Sequence, residues 1–140
     1  MDQGQLKPIV YSSLMAICAF AMIKNTKNEI LLVELAPPFA ESHKWNFPGG
    51  VIEKYEAIHE GLVREVVEET NILCTVLERM DSFITPSGTD QINIYEAIYK
   101  SGEIIVQKEE VLQAKWYTSQ EALALPLAFN IKDYIAQLSF

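Results

Sequence analysis

Ala57-Ile58-His59-Glu60-Gly61-Leu62-Val63-Arg64-Glu65-Val66-Val67-Glu68-Glu69-Thr70 is the stretch on which the fold reading turns. Its apolar residues recur at the spacing of one helix face, which predicts a helix over 57–70. With about 100° per residue and Glu65 at zero, Glu68 lies near about −60° and Glu69 near about +40°. Three carboxylates therefore share one face. Ile58, Leu62, Val63, Val66 and Val67 fill the neighbouring arc, which is the stripe expected to meet the core. Glu60, Arg64 and Asn71 fall on the far side, where water is expected. Ala57 and Gly61 lie on the acidic arc and would leave room above the carboxylates.

The arrangement is costly for a helix selected on stability alone. Like charges three and four residues apart repel by a few tenths of a kcal/mol per pair. They also sit in the last two turns, where the helix dipole disfavours anions by roughly 0.3–1 kcal/mol each. Gly61 costs a further ~1 kcal/mol relative to alanine. A divalent cation would remove the repulsion, and carboxylate oxygens are the hard ligands that Mg²⁺ prefers. The plain alternative is a solvated acidic face. The small residues above the cluster argue against it, as does Gly49-Gly50 just before the helix, which lets backbone approach a metal or phosphate closely.

Outward from the helix, Pro48-Gly49-Gly50 reads as a break after Trp45-Asn46-Phe47. Upstream, Ile9 to Met22 reads as a buried strand. Lys24 to Asn28 is a turn cluster and Glu29 to Leu35 a second strand, so the two form a hairpin. Ala36 to Lys44 holds Pro37-Pro38 and is irregular. Downstream, strands are expected over Cys74–Ile84, Gln91–Lys100, Ile104–Gln107 and Ala114–Tyr117. Ser119–Leu125 reads as a short helix. Asn130 is placed to cap a last helix over Ile131–Leu138. Helices mixed with hairpin-type strands indicate an α/β or α+β layered domain.

The chain of 140 residues suits one domain, with a flexible polar start over 1–7. Its net charge of −8 disfavours binding to a nucleic-acid duplex but not to a small phosphate ester, because a bound cation reverses the local sign. Cys18 and Cys74 lie in apolar stretches, which is the pattern of buried free thiols in a reducing cytoplasm. The apolar run 14–23 is too short to span a bilayer, so no membrane association is expected. His59 lies among apolar residues on the wheel and is expected to be partly buried. Trp45, Phe39, Tyr95 and Phe129 could each stack on a base, but each reads more simply as core.

Gly50, five residues, Glu56, seven residues and then Arg64-Glu65-Val66-Val67-Glu68-Glu69-Thr70-Asn71-Ile72 resembles the Nudix box. One position departs: Asn71 stands where the box has glycine. Asparagine is the best non-glycine residue for the left-handed turn that ends a helix. The lead-in Trp45-Asn46-Phe47-Pro48-Gly49-Gly50 resembles that family's approach to the box.

The resemblance implies an α/β fold, an α/β/α sandwich around a mixed sheet. It implies a pyrophosphohydrolase that cleaves a P–O–P bond of a nucleoside diphosphate-linked substrate with Mg²⁺, or Mn²⁺ in its place. Glu65, Glu68 and Glu69 become metal-binding carboxylates, with the Gly49 carbonyl as a further ligand. Arg64 would orient a carboxylate, either Glu56 or one of the cluster. Glu65, Glu69, Arg64 and a loop glutamate, Glu110, become the catalytic set. Gly49, Gly50 and Trp45 would meet substrate. Lys108-Glu109-Glu110 reads equally well as a solvated charged turn. The family often pairs, so a homodimer stays open. Pro86 lies about where ADP-ribose-cleaving members carry a proline, which leaves ADP-ribose or another nucleotide sugar beside a nucleoside triphosphate as substrates. A nucleotide sensor or scaffold without turnover is the alternative function, and an acidic Ca²⁺-binding helix is a third.

Overall fold

The computed structural model describes residues 15–138. Among these residues, seven strands and three helices follow one another as β1 (Ala16–Lys24), β2 (Glu29–Leu35), β3 (Trp45–Asn46), β4 (Gly49–Val51), α1 (Ile58–Thr70), β5 (Leu73–Ile84), β6 (Asp90–Ser101), β7 (Val111–Thr118), α2 (Ser119–Leu123) and α3 (Ile131–Ala136). The strand expected from Ile9 thus begins, within these residues, at Ala16. Its residues 9–14 and the segment 1–7 lie outside the described residues.

The sheet is mixed. Its main path runs β3-β2-β1-β6-β5, with β4 on β1 and β7 on β2. β1 and β6 are parallel over Ala16–Lys24, while the other pairs are antiparallel. The expected hairpin forms: the Asn25 Oδ1 accepts from Lys27 and Glu29 N–H and closes the turn. Yet β1 and β2 pair only at Lys24↔Ile30. Beyond that point they part. β4 takes the freed edge of β1, and β3 and β7 take β2.

Alternation of side chains across the strands builds two cores. Ala19, Ala21, Ile23, Leu31, Val33, Tyr95 and Ala97 pack on one face with Leu62 and Val66 of α1. Met22, Ile30, Leu32 and Ile94 pack on the other with Ala122, Ile131 and Ile135 of α2 and α3. This gives the expected α/β/α layering. Each fully buried aliphatic side chain contributes about 1.5–3 kcal/mol relative to exposure, so α1 is held by its apolar stripe despite its acidic one. No helix among the described residues is long and apolar enough to cross a membrane.

Three sequence expectations are corrected. Gly49–Val51, read as part of a break, is strand β4: glycine has no side chain to keep it off β1, and Ala21 N–H also reaches the Pro48 carbonyl at 2.9 Å. Residues 104–107 form no strand. Ile105 N–H instead donates to the Thr70 carbonyl (3.0 Å), so the segment caps the end of α1 rather than joining a sheet. His59 is exposed, its ring edge-on to Tyr95 at 5.1 Å, because Leu62 and Val66, with Ile58 and Val63 beside them, fill the contact between α1 and the sheet. The thiols are free and buried as expected, and burial raises both to about 11.

Asn71 adopts the left-handed conformation (φ 66°, ψ 10°), donates N–H to the Val67 carbonyl, and donates from Nδ2 to the Glu103 carbonyl. Replacing it by alanine keeps the positive φ but loses the side-chain bond, for an expected cost of about 1–2 kcal/mol. Asn71→Gly relieves the φ penalty and is expected to cost clearly less. Urea unfolding of both variants tests the order, and an alanine variant as stable as the parent contradicts it.

Candidate active site

The parting of β1 and β2 sets the site. β4 lies in the gap with Gly49 opposite Phe20 and Gly50 opposite Ala19. A side chain at Gly49 would meet the Ala19 carbonyl at 2.1 Å, and one at Gly50 would meet the Glu65 carboxylate at 2.6 Å. Only glycine therefore allows the strand, the backbone of β1 and the α1 carboxylates to share this space. The Gly49 N–H donates to Glu69 Oε1 (3.0 Å, buried) and ties strand to helix.

Glu65 and Glu69 are both 7% exposed, which is unusual for carboxylates. Burial pushes Glu69 up to about 8, partly opposed by the Gly49 N–H. Glu65 is held by two cations: Arg64 Nη1 lies 3.2 Å from Oε1 and Lys108 Nζ 2.7 Å from Oε2. The same cations hold Glu68. Arg64 Nη1 is 3.0 Å from its Oε2 and Lys108 Nζ 3.1 Å from its Oε1. The Lys108 and Arg64 contacts keep Glu68 below the usual carboxylate range.

Arg64 also donates from Nη2 and Nε to Glu56 (2.6 and 3.0 Å), a two-point clasp. The wheel put Arg64 in water, whereas the structure folds its half-buried side chain back across the acidic arc. The long stem lets its head reach charge that the backbone position does not face. Glu56 in turn accepts from Glu53 N–H and turns the chain into α1. Its carboxyl, held down first by Arg64, stays ionised. The room expected above the cluster is not at Gly61 or Ala57. Glu56 Oε1 and Ile52 Cδ1 would each be 2.8 Å from a Gly61 side chain, and Ala57 is exposed at the helix start.

The open space is a cleft of about 320 Å³ lined by Gly49 and Gly50. Glu65, Glu69, Lys108 and Glu110 line its polar end, together with Gly49 and Gly50. Phe20, Phe39, Phe47 and Phe129 line much of the rest, beside Val33 and Leu35. Phe39 and Phe129 are 44% and 65% exposed, so both are cleft walls rather than the core residues their composition suggested. Trp45, placed against substrate by the resemblance, is instead buried and packs edge-on to Tyr117 at 5.2 Å, outside the cleft lining. It faces the α2–α3 core because Asn46 and Trp45 pair with β2. His43 is exposed, 3.7 Å from Glu34, and lines no part of the cleft. A shallower recess of about 380 Å³ lies beside Asn25, Tyr99 and Trp116 and contains none of the clustered carboxylates.

Lys108 is the residue the sequence reading missed. It stood in a charged turn with no periodicity to point it inward. Its ammonium lies between Glu65 and Glu68 and 3.7 Å from Glu110. Burial alone would lower its pKa, but hydrogen bonds to Glu65 and Glu68 outweigh that and raise it. Among the described residues no three acidic, His or Cys side chains form a ready metal cage. The donor set nonetheless fits a hard divalent cation. Glu65 and Glu68 already gather around one positive charge, and buried Glu69 stands next to them with no ion pair among the described residues.

Comparison with known proteins follows the same lines. The NUDIX domain family model matches residues 15–138. The chain is 34% identical over 113 residues to Nudix hydrolase 7 of Arabidopsis thaliana, an alignment covering 77% of this chain and 40% of that protein. It is 27% identical over 113 residues to the NAD-capped RNA hydrolase NudC of Pseudomonas putida, covering 81% of this chain and 41% of that one. The chain thus spans less than half the length of these curated relatives. A NUDIX hydrolase from Nitrosomonas europaea has a similar fold, with TM-score 0.76 and 20% identity, over 88% of this chain and 68% of that one.

Glu69 titrates at about 8 in the folded chain against an ordinary 4.5. The folded state therefore holds an extra proton between those values, and stability contributed by this group falls as pH rises from about 4.5 to about 8. Glu69→Gln keeps an acceptor for Gly49 N–H and has no charge to bury. In urea melts run in chelator, the variant is expected to gain on the parent across that window, by a few kcal/mol at its upper end. A parallel pH dependence in the two proteins refutes the assignment.

Proposed function

The chain belongs to the NUDIX domain family, and on that footing we propose that it is a pyrophosphohydrolase that splits the P–O–P bond of a nucleoside diphosphate-linked substrate with Mg²⁺. One observation supports this most. Buried Glu65 and Glu69 line a cleft that they share with four phenylalanines and several aliphatic side chains, so a charged diphosphate and a flat apolar base each have matching groups there.

Glu65, Glu68 and Glu69 would hold the metal, with the Gly49 carbonyl beside them. When bound, Mg²⁺ supplies neutralisation of the diphosphate charge and a more acidic water. The protein's own groups do the rest. Arg64 positions Glu65 and Glu68 through its fork and is anchored by Glu56. Gly49 and Gly50, having no side chains, let the diphosphate approach the backbone. Glu110, half exposed on the loop before β7 and lining the cleft, takes the proton from the attacking water. A new O–P bond forms, the bridging P–O bond breaks, and two phosphorylated products leave.

Phe39 and Phe129 present exposed rings at the cleft and are the residues that would stack on the base. The NudC relative acts, by its name, on NAD-capped RNA, and NAD joins two nucleosides by a diphosphate. This favours a diphosphate flanked by two organic groups, as in ADP-ribose or a nucleotide sugar, over a nucleoside triphosphate.

Chromatographic detection of the monophosphate products from a panel of dinucleoside diphosphates, nucleotide sugars and nucleoside triphosphates, with and without Mg²⁺, tests the reading. Turnover of a diphosphate-linked compound that stops in chelator is expected, with Glu65→Gln at least about 10²-fold slower. Nucleotide binding without any turnover would point to a sensor instead. Phe39→Ala and Phe129→Ala are expected to raise KM roughly tenfold, the value of one base–aromatic stack, with a smaller change in kcat. Unchanged KM in both removes the stacking role.

A further inference from the structure

Lys108 is half-buried, yet it sits in a stretch without regular secondary structure. That stretch is pinned on both sides of it. Ile105 N–H donates to the Thr70 carbonyl three residues earlier, and Val111 N–H, which starts β7, donates back to the Lys108 carbonyl. The backbone carrying the ammonium is thus ordered by contacts that do not involve its charge. Little further entropy is lost when Nζ settles between Glu65 Oε2 (2.7 Å) and Glu68 Oε1 (3.1 Å). The remaining neighbours are Glu110 at 3.7 Å and, through the shared carboxylates, Arg64. Arg64 is committed to Glu56 by two bonds and stays on the helix. Lys108 comes from another segment on one flexible stem and can leave.

We propose that Lys108 is a tethered counter-cation that occupies the divalent-cation position between Glu65 and Glu68, so that a metal ion binds only by displacing it. This rests on the metal reading of the site. Two consequences follow from charge alone. Without metal, the ammonium offsets the repulsion between buried Glu65 and part-exposed Glu68 and supports the apo fold. With metal, the same ammonium is a competitor, always present at high local concentration. Metal affinity is then held below what the carboxylates alone would give. Lys108 is in this sense a positioning residue that sets the metal threshold.

The test uses the full chain and Mn²⁺ as probe, with binding followed by electron paramagnetic resonance and by calorimetry. Lys108→Gln is expected to bind Mn²⁺ roughly tenfold more tightly than the parent, the factor that one charge-assisted hydrogen bond is worth. Its melting temperature in chelator falls, and its gain on adding Mn²⁺ exceeds the parent's. Lys44→Gln, which removes an exposed charge paired with Glu41, controls for net charge and changes Mn²⁺ affinity by less than about twofold. Equal or weaker binding by Lys108→Gln overturns the role given to Lys108 while leaving the metal site in place. No binding to either protein removes the metal reading and this proposal together. Should Lys108→Gln fail to fold, the Lys108 ammonium resonance of the parent decides. It is expected to shift as Mg²⁺ (diamagnetic) is added to saturation, and an unmoved signal overturns displacement.

Discussion

The structure depends on placing two carboxylates in a largely buried position. Glu65 and Glu69 are turned inward on α1, next to an apolar stripe that must also be buried. A carboxylate in that position is tolerated only if something answers its charge or its acceptor atoms. The fold supplies three answers of different kinds: the Arg64 fork, the Lys108 ammonium and the Gly49 N–H. Each comes from a different part of the chain. The acidic helix is therefore the point at which β4, α1 and the loop before β7 are tied together.

The geometry of β1 and β2 makes this tie possible. Two strands that paired along their whole length would leave no edge for β4. Because they pair at one position and then diverge, β4 can lie along β1, with its glycines touching both backbone and carboxylate. The cleft opens against those glycines. Its charged end and its phenylalanine walls are thus consequences of one sheet irregularity, with α1 fixed to the sheet behind it.

Much of this was legible in the sequence. The 3.6 period of 58–70 located α1, and the left-handed turn at Asn71 followed from the residue's short polar side chain. The apolar composition of the segment ending at Met22 and the turn cluster after it located β1 and β2. The shared arc of Glu65, Glu68 and Glu69 needed only the helical repeat. Other features were read wrongly for identifiable reasons. Arg64 has a side chain long enough to leave the sector its Cα occupies, so a wheel misplaces its charge. Gly49 and Gly50 signal a break in most contexts, but here the missing side chains are what admit a strand. Residues 104–107 are rich in β-branched side chains like a strand, and Ile105 instead meets an open carbonyl at the end of α1.

What the sequence by itself determined is the local part: a helix with one apolar and one acidic stripe, its capping residue, and a sheet with two buried faces. These follow from repeats of 2 and 3.6 residues, which any segment carries in its own order of side chains. What only the tertiary structure decided is which charges answer the acidic stripe and which rings face the open cleft. Lys108 reaches Glu65 across 43 positions of chain, and Phe39 and Phe129 face one cleft from opposite ends of the sequence. Such meetings are set by how the layers pack, because electrostatic and aromatic contacts depend on distance in space, and no local repeat encodes that distance.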